Sequence, residues 1–429
     1  CRILFSIQML QLLLAFLFIG LFTIMHVTCV SEVNNKVHNL NTHFNYSTIQ
    51  EAINADETLD GHKIYVENGI YHENVVINKR IFLVGENKSE TIVDANGGIV
   101  LFLQSNNSKI TGFTIQNGHY GVLMSPWTYG HEVCGNIITN NEYGISGHYD
   151  VERVSICNNI ISSNNITGIY MLFSNSKIVG NMISNNGKGE FQPYSSGIQI
   201  SAGINAHYVY CINNTIIKNN IMNHRVGIWS VKYSEDLIFL YNNFRNNTKQ
   251  ISASPIAWNN TVMENYWDNY VGIDTDQDGI GEAPYNIDDV IIDTRPLMGI
   301  FHSFNTSLGL HIDLISNSTV EIFKYNESDK TITMHIFNVD SLQTSFFCRI
   351  AIPHDIISPP FTVLINDNQI SFTTINENET LSTIYFSSKQ SSSKILIVPE
   401  LSSITFLLLS ALSLLTVKKI FLRDEQDTL

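Results

Sequence analysis

An alternating row of carboxylates near residue 275 is the clearest candidate for chemistry in this chain. The carboxylates belong to Asp274, Asp276 and Asp278. At this spacing they can wrap oxygen ligands around a hard cation, because Gly279 allows a sharp turn and Ile280 offers its carbonyl as the next ligand. Tyr285 stands where a closing bidentate acid belongs, so another acid must substitute: Glu282, Asp288, Asp289 or Asp293. The motif predicts a structural calcium site, with a solvated acidic turn as the alternative.

A second set of polar and aromatic residues interrupts an otherwise aliphatic and Asn-rich stretch. Trp and Tyr rings offer flat apolar surfaces for sugar rings, and charged side chains fix the orientation of a polar ligand. Our candidates for a ligand-binding face are Trp127, Tyr129, His148, Asp150, Arg153, Trp229 and Tyr233. The candidate catalytic residues are Asp150, Glu152, Arg153 and His148. The alternative is that all of these are ordinary loop and surface residues.

These residues can share one face only if the chain between them is wound regularly, and a repeat predicts that it is. An Asn-Asn or Gly-Asn pair, a few aliphatic residues and a later Gly followed by an aliphatic residue recur between Gly112 and Asn247. Asn136 and Asn159 are 23 residues apart, and Asn159 and Asn181 are 22 apart. Units this short cannot be helix pairs, so each must be one coil of a solenoid that stacks on the next.

Residue type indicates which solenoid forms. Short pieces rich in Ile and Val favour strands, while Asn and Gly tolerate left-handed backbone at corners. Stacked parallel strands also align the corner Asn side chains in a hydrogen-bonded ladder. The pattern predicts a parallel β-helix with equivalent positions at Ile137, Ile160, Met182 and Ile216. Longer spacings from Asn181 to Asn214 and from Asn214 to Asn243 predict inserted loops at residues 187–196 and around 202–207.

Several motifs resemble one superfamily. Residues 48–53 (TIQEAI), 61–75 (GHKIYVENGIYHENV) and 81–86 (IFLVGE) look like the opening of right-handed β-helix proteins of the pectin-lyase-like superfamily. The Asn-rich coils resemble its NosD-like, carbohydrate-binding and sugar-hydrolase group. Residues 265–270 (NYWDNY), 274–281 (DTDQDGIG) and 295–298 (RPLM) are similar to the end of the helix in archaeal cell-surface members. The resemblance implies an all-β chain with a right-handed single-stranded parallel β-helix over residues 45–300.

The resemblance also indicates which functions are candidates. Enzymes of this superfamily use an Asp pair with Arg for ester hydrolysis, or acidic calcium ligands with Arg or Lys as base for polysaccharide lysis. No such set repeats at coil spacing here. We therefore expect a non-catalytic surface protein that binds an extracellular polysaccharide or cell-envelope glycan, with a lyase, esterase or hydrolase on the same face as the alternative. A copper-delivery role would need clustered Met, Cys or His outside the core, which the sequence does not offer.

Downstream of the repeat the pattern changes. Residues 305–398 alternate apolar and polar side chains in period two, with turn signals at 326–329 and 366–368, which predicts a small β-sandwich. No cluster of titratable groups appears in it, so we expect a stalk. In the repeat, Cys134, Cys157 and Cys211 are predicted to stack inside the solenoid as small apolar residues. A bridge between adjacent coils or metal ligation is the alternative.

Both ends carry apolar runs. Residues 1–31 are predicted to be a signal peptide or N-terminal anchor. Residues 401–417 are predicted to form a transmembrane helix, and the basic residues after it place a tail, 418–429, on the cytoplasmic side. This predicts a membrane-anchored cell-surface protein with most of the chain outside. Pro399-Glu400 before the run resembles sorting signals of exported proteins, so a processed sorting signal is the alternative.

Charge and sequons agree with an exposed location. The chain has 24 Lys and Arg against 39 Asp and Glu, a net charge of −15, which argues against a nucleic-acid partner because such binding needs basic contacts to phosphate. N-x-[ST] sequons fit secretion but arise readily by chance in an Asn-rich chain. They begin at Asn45, Asn87, Asn106, Asn165, Asn213, Asn246, Asn259, Asn305, Asn317, Asn326 and Asn378.

Overall fold

A computed structural model describes residues 36–188, 195–201, 211–230, 234–253, 259–288, 291–338, 343–389 and 392–400. The described chain is almost entirely β. A solenoid of parallel strands, with one short helix near its N-terminal end, is followed by two antiparallel sheets, which confirms the predicted all-β parallel β-helix. Across the described ranges, no helix is long and apolar enough to span a membrane. The predicted leader (1–31), transmembrane segment (401–417) and tail (418–429) lie outside the described residues.

The solenoid comprises the helix α1 (Ile49–Asn54) and a series of short strands. The strands are β1 (Val37–Asn39), β2 (Phe44–Tyr46), β3 (Lys63–Val66), β4 (Gly69–Tyr71), β5 (Val75–Ile77), β6 (Phe82–Gly85), β7 (Thr91–Asp94), β8 (Ile99–Leu103), β9 (Lys109–Thr111), β10 (Thr114–Gln116), β11 (Tyr120–Met124), β12 (Glu132–Cys134), β13 (Ile137–Thr139), β14 (Tyr143–Gly147), β15 (Val151–Glu152), β16 (Ser155–Cys157), β17 (Ile160–Ser162), β18 (Thr167–Met171), β19 (Phe173–Ser174), β20 (Lys177–Val179), β21 (Met182–Ser184), β22 (Ser196–Ile200), β23 (Cys211–Ile212), β24 (Thr215–Ile217), β25 (Asn220–Met222), β26 (Val226–Ser230), β27 (Ser234–Glu235), β28 (Ile238–Leu240), β29 (Asn243–Arg245), β30 (Lys249–Ala253), β31 (Thr261–Met263), β32 (Tyr266–Trp267), β33 (Tyr285–Asn286) and β34 (Ile292–Asp293).

Three parallel sheets run along the solenoid, and each coil contributes one strand to each sheet. The first sheet has the order β2-β1-β3-β6-β9-β12-β16-β20-β24-β28-β31, the second β4-β7-β10-β13-β17-β21-β25-β29-β32, and the third β5-β8-β11-β14-β18-β22-β26-β30. Equivalent inward side chains stack in rows, as in Ile138, Ile161, Ile183 and Ile221 of the second sheet. Aliphatic side chains of this kind fill one continuous core.

The corners explain why Asn occurs in pairs. At the corner between the first and second sheets, one residue adopts a left-handed backbone conformation and the next points inward. The left-handed residues are Gly135, Asn158, Gly180, Lys218, Tyr241 and Glu264. The inward residues are Asn136, Asn159, Asn181, Asn219, Asn242 and Asn265, all buried. From Asn159 onward, each inward Oδ1 accepts the backbone N–H and the Nδ2 of the preceding coil's Asn, at 2.9–3.2 Å.

The Asn-to-Asn hydrogen bonds of this ladder all run in one direction, as the last residue of the ladder shows. Each Asn-to-Asn bond is donated toward the following coil, so the final position needs only an acceptor for this ladder. That position is Asp293, whose Oδ2 accepts the backbone N–H of Asn265 at 3.0 Å and the Nε1–H of Trp267 at 2.9 Å. A carboxylate is an acceptor without a donor, which suits this place. Asp293 is fully buried here, so it is not available as the calcium ligand that the sequence allowed.

Two details of the sequence prediction were wrong. Ile216 is not equivalent to Met182: it pairs with Ile178 in the first sheet, and Asn220 pairs with Met182. The coil from Asn181 to Asn219 is 38 residues long and contains both predicted insertions, parts of which lie outside the described residues.

The cysteines also differ from the prediction. Val133 and Ile156 fill the inward positions of their strands, so Cys134 and Cys157 face outward on paired strands and form a disulfide between adjacent coils. Cys211 lies in a different row, opposite Ser234, and is buried. The bridge that was only the alternative is therefore the observed arrangement.

The two ends of the solenoid are closed by different devices. At the N-terminal end, β1 pairs antiparallel with β3, and the Gln50 side chain of α1 bonds both the N–H and the C=O of Val76 in the edge strand β5, at 2.7 and 3.1 Å. At the C-terminal end, Leu297 bridges to Tyr266, and the Asn243 side chain pairs with the backbone of Phe301.

The C-terminal unit consists of two five-stranded antiparallel sheets that share one core. Its strands are β35 (Ile300–Asn305), β36 (His311–Ser316), β37 (Thr319–Asn326), β38 (Thr331–Phe337), β39 (Phe346–Pro353), β40 (Phe361–Ile365), β41 (Asn368–Ile370), β42 (Thr373–Glu377), β43 (Leu381–Ser388) and β44 (Ser392–Pro399). One sheet has the order β35-β36-β39-β43-β42 and the other β37-β38-β44-β40-β41. We call this unit the sandwich. Its edge strand β35 faces the solenoid.

Candidate functional site

The acidic loop forms a compact oxygen cluster. Carboxylate oxygens of Asp274, Asp276 and Asp278 all lie within 4.8 Å of one another. Two oxygens bound to the same Ca²⁺ at 2.3–2.6 Å lie no more than about 5 Å apart, so this spacing is compatible with one ion. Glu282 stabilises the loop, because its Oε1 accepts the backbone N–H groups of Thr275 and Asp276 at 3.1 and 3.4 Å.

The loop lies at the junction between the two units. Ile280, the predicted carbonyl ligand, is buried in a small cluster with Phe301, Phe347 and Tyr385. Both oxygens of Asp274 accept backbone N–H bonds at 3.0 Å, yet burial, together with the neighbouring Asp278 and Asp276 carboxylates, raises the pKa of Asp274. A cation in the loop would reverse this repulsion and hold the solenoid end against the sandwich.

Calcium is expected to raise the melting temperature of the chain, and Asp276→Ala is expected to abolish that shift. Asp276 is exposed, so its removal leaves the N–H bonds to Asp274 and Glu282 in place. A ligand that binds only the folded state adds about 2.7 kcal/mol at a hundredfold excess over Kd. Thermal unfolding with calcium and with chelator measures the shift, and Asp56→Ala, which removes another exposed acid, is the control. Equal melting in calcium and chelator contradicts the site.

The aromatic candidates converge on two neighbouring coils. The rings of Trp127 and Tyr149 meet edge to face at 5.3 Å, and the ring of His148 lies 6.3 Å from that of Tyr149. The Arg153 guanidinium lies 4.5 Å above the ring of Tyr129. We call Trp127, Tyr129, His148, Tyr149 and Arg153 the aromatic cluster. Trp127 is 69% exposed, so its ring offers an open apolar surface next to the Tyr149 ring.

Two residues in this region, Trp127 and Arg153, adopt the left-handed backbone conformation although they are not Gly, Asn or Asp. Trp127, Asp150 and Arg153 have φ values of 59°, 58° and 55°. The left-handed conformation costs roughly 1 kcal/mol for residues other than Gly, Asn and Asp. The row that contains Arg153 otherwise carries Asn107, Gly130, Asn175, Asn213, Asp236 and Asn259. Strained positions of this kind cluster at ligand sites, where the side chain has a role that offsets the cost.

Three further exceptions occur at the corners between the first and second sheets, and they make contacts within the protein. Lys218, Tyr241 and Glu264 are the residues other than Asn and Gly in the left-handed row between the first and second sheets. Lys218 forms an ion pair with Asp313 at 2.9 Å, the Tyr241 ring stacks on Phe301 at 4.7 Å, and Glu264 pairs with Arg295 at 3.1 Å. Each exception therefore makes a contact outside its own row.

Not all predicted site residues belong to the cluster. Trp229 lies in β26, three strands beyond β14, or roughly 14 Å along the axis at the usual strand spacing. Tyr233 lies outside the described residues. The catalytic candidates Asp150 and Glu152 are exposed, and burial lowers the pKa of His148. Among the described residues Arg153 has no ion pair with a carboxylate, so no acid and base are held together there.

The ligand-binding face chosen from the sequence does not include Tyr149 or a row of aromatic residues on the third sheet. The rings of Tyr120 and Tyr143 stack at 5.1 Å, and that of Tyr170 follows at 5.7 Å. The His119 and Glu142 side chains meet at 2.5 Å beside this row. Tyr120 and Tyr143 are 23 residues apart, the length of one coil, so applying the repeat to aromatic residues would have found them.

Comparisons with known proteins agree with this architecture. The family model described as "Periplasmic copper-binding protein (NosD)" matches residues 51–272, just over half of the chain. A "Cell surface glycoprotein" of Methanothermus fervidus is 35% identical over 89 residues, which are 21% of this chain and 15% of that protein. The chain therefore spans less than a sixth of the length of that curated relative.

Solved structures of similar shape have low TM-scores. The alginate lyase of Paenibacillus sp. is 15% identical, with a TM-score of 0.30 over 51% of this chain and 74% of that one. The A-module of an Azotobacter vinelandii mannuronan C-5 epimerase is 14% identical, with a TM-score of 0.32 over 51% and 73%. A tailspike protein of E. coli bacteriophage HK620, in complex with a hexasaccharide, is 10% identical, with a TM-score of 0.27 over 79% and 73%.

Proposed function

The chain belongs to the periplasmic copper-binding protein (NosD) family, and we propose that it is a cell-surface protein whose β-helix binds an extracellular glycan without catalysis. The observation that carries the proposal is the aromatic cluster, where an exposed Trp, two Tyr rings and an Arg stand on adjacent coils. The similarity to a cell surface glycoprotein supports exposure outside the cell. A disulfide between coils also fits an oxidising compartment.

The chemistry of the aromatic cluster suits sugars. A pyranose ring has an apolar face that packs on Trp or Tyr, and hydroxyl groups around its rim that need hydrogen bonds. Trp127 supplies the flat surface, while Arg153 and the exposed Asp150 on the next coil supply donors and acceptors. The absence of a paired acid and base among these described residues favours binding over turnover.

The family description raises the question of copper, which Cys, Met and His side chains would have to hold. Cys134 and Cys157 are joined in the disulfide, and Cys211 and Cys348 are buried. In the described ranges, the acidic loop is the one group of three or more His, Cys, Asp or Glu side chains placed to share a metal, and all its members are carboxylates. Carboxylates suit calcium better than copper, so the described residues do not fit a copper site.

Arg153→Asn is expected to weaken glycan binding about tenfold while leaving the fold at least as stable. Asn is the commonest residue of that left-handed row, so the change relieves backbone strain and removes only the charge and the stacking on Tyr129. Hydrogen bonds from a charged group to a ligand are worth about 1.5–3 kcal/mol, which corresponds to roughly tenfold or more in affinity. A glycan array on the secreted chain identifies the ligand, and titration and denaturant unfolding then compare the variants.

The controls separate binding from catalysis. Trp127→Asn is expected to weaken binding in the same way, whereas Phe44→Ala removes an exposed aromatic residue of the N-terminal hairpin and should change nothing. Binding that persists in both Arg153→Asn and Trp127→Asn would mean that the ligand uses another face. Release of new chain ends from the bound polysaccharide, lost in Arg153→Asn, would instead favour a lyase or hydrolase, and release of ester-linked groups would favour an esterase.

A further inference from the structure

A cleft of about 520 Å³ separates the outer surface of the solenoid from the sandwich. Gly180, Lys218 and Asn220 line one wall, and residues of β35 and the start of β36 line the other. The volume is within the range of about 300–1,000 Å³ that is usual for pockets of small organic ligands. Aromatic, amide, hydroxyl and imidazole groups all border this space, as in sites for polyhydroxylated ligands.

The walls of the cleft are fixed relative to each other. The Asn243 side chain donates to the carbonyl of Phe301 and accepts its N–H, each at 2.8 Å, which imitates a strand pair. Lys218 pairs with Asp313 at 2.9 Å and lies 5.2 Å from the centre of the Phe301 ring. The cleft is therefore bounded by specific contacts on the solenoid side of β35.

A sequon opens onto this cleft. Asn305, the last residue of β35, lines the cleft, is exposed and begins the sequence Asn305-Thr306-Ser307. In the described part of the chain its side chain has no hydrogen bond. The other sequon asparagines of the sandwich use their side-chain oxygens to accept backbone N–H groups: Asn317 from Phe347, Asn326 from Ser328, and Asn378 from Thr380 and Leu381. Among the described residues, the Asn305 side chain is the one of these four whose oxygen and nitrogen both lack a hydrogen bond within the protein, since Asn317 and Asn326 also donate through Nδ2.

We propose that Asn305 is N-glycosylated and that the first sugars of its glycan occupy the cleft between solenoid and sandwich. In the transfer, Asn305 Nδ2 bonds to the anomeric carbon of a lipid-linked phosphate sugar. The bond from that carbon to the phosphate oxygen breaks, the lipid phosphate leaves, and Nδ2 loses one proton. The donor and the transferase belong to the exporting cell.

The cleft offers a tethered sugar partners that the described protein does not use. His302 lines the cleft, and its buried Nε2 has no hydrogen-bond partner among the described residues. A buried polar atom without a partner is costly, and a rotation of the His302 ring that brings Nε2 to a sugar hydroxyl removes this cost. The Phe304 ring lies parallel to the His302 ring at 5.7 Å and adds an apolar surface. The tether at Asn305 raises the effective concentration of sugar at these groups.

Glycopeptide mapping of the full chain, secreted from a host that N-glycosylates exported proteins, tests the modification. We expect a glycan on Asn305. Thermal unfolding tests the cleft: Asn305→Gln should lower the melting temperature by several degrees in that host and leave it unchanged in a glycosylation-deficient strain of the same host. Asn165→Gln, which removes an exposed sequon of the solenoid whose side chain has no hydrogen bond in the described part of the chain, is the matched control and should not change melting in either strain.

Three results would overturn the proposal. If Asn305 carries no glycan, the proposed modification is wrong. A modified Asn305 whose loss does not alter melting shows that the glycan points to solvent. A melting shift produced by adding the released oligosaccharide at micromolar concentration to Asn305→Gln shows that the cleft takes free sugar, and that the tether is not needed.

Discussion

Replacing Asn159 with alanine is expected to lower the free energy of unfolding by about 3–5 kcal/mol, because several buried groups lose their partners at once. Asn159 Oδ1 accepts the backbone N–H of Asn136 at 2.9 Å, and its Nδ2 donates to the carbonyl of Val133 at 2.7 Å and to Asn181 Oδ1 at 3.0 Å. Each buried donor or acceptor that is left unpaired costs about 1–3 kcal/mol. Denaturant unfolding of the disulfide-intact chain measures the change.

The neighbouring Asn158 provides a matched control. It is exposed, and its left-handed backbone is available to glycine without strain, as at Gly135 and Gly180 in the same row. Asn158→Gly is therefore expected to change stability by no more than about 0.5 kcal/mol. Similar losses in Asn158→Gly and Asn159→Ala would show that the two members of the pair do not have the separate roles described above.

Acid is expected to destabilise the solenoid well before the carboxylates titrate. Burial lowers the pKa of His131 to about 4, and burial lowers that of His224 to about 4 as well. The unfolded chain binds protons at the ordinary pKa of 6.5, so the stabilisation is complete above pH 6.5 and is lost as the pH falls toward 4. Each His contributes about 3 kcal/mol over this window. Urea unfolding at a series of pH values measures the slope.

His224→Asn separates this effect from general acid denaturation. His224 occupies a ladder position between Asn186 and Asn247, with hydrogen bonds of 3.3 and 3.1 Å. An Asn there repeats the residue of the adjacent coils and does not titrate, so the slope between pH 6.5 and 4 should fall by up to about 1.4 kcal/mol per pH unit. An unchanged slope would mean that His224 does not contribute to the acid sensitivity.

The sequence predicted the fold because each corner requires two residue types in succession. A residue that tolerates a left-handed backbone is followed by a buried amide, and both requirements favour Asn. Because the same pair serves more than one kind of corner, it does not show which strands pair with each other. Asn213-Asn214 belongs to the corner before the first sheet, where Asn214 bonds the backbone N–H of Ser176. Since all corners use one signature, the sequence could not tell which corner the pair occupies, and Ile216 was assigned to the wrong sheet.

The candidate site was predicted in part. The acidic loop was visible because its ligands are close in sequence. The aromatic cluster depends on rings from adjacent coils, and only Trp127, Tyr129, His148 and Arg153 of the predicted face meet there, while Trp229 lies further along the axis. Tyr149 contacts Trp127 through side-chain directions after β11 and β14, which residue spacing does not reveal. The contacts of β35 with the solenoid were also hidden, because they join residues such as Asn243 and Phe301 that belong to different patterns.

The closed ends of the solenoid affect how copies of the protein pack beside one another. An open parallel β-helix presents strand edges to which a second copy can add, and repetition of that contact produces a fibre. Here Gln50 occupies the edge of β5, and Asp293 leaves the ladder without a donor for a further coil. With these positions filled and a net charge of −15, copies packed densely on one surface should stay separate and repel each other sideways. A dense layer of such molecules would consist of separate copies rather than of a network of filaments.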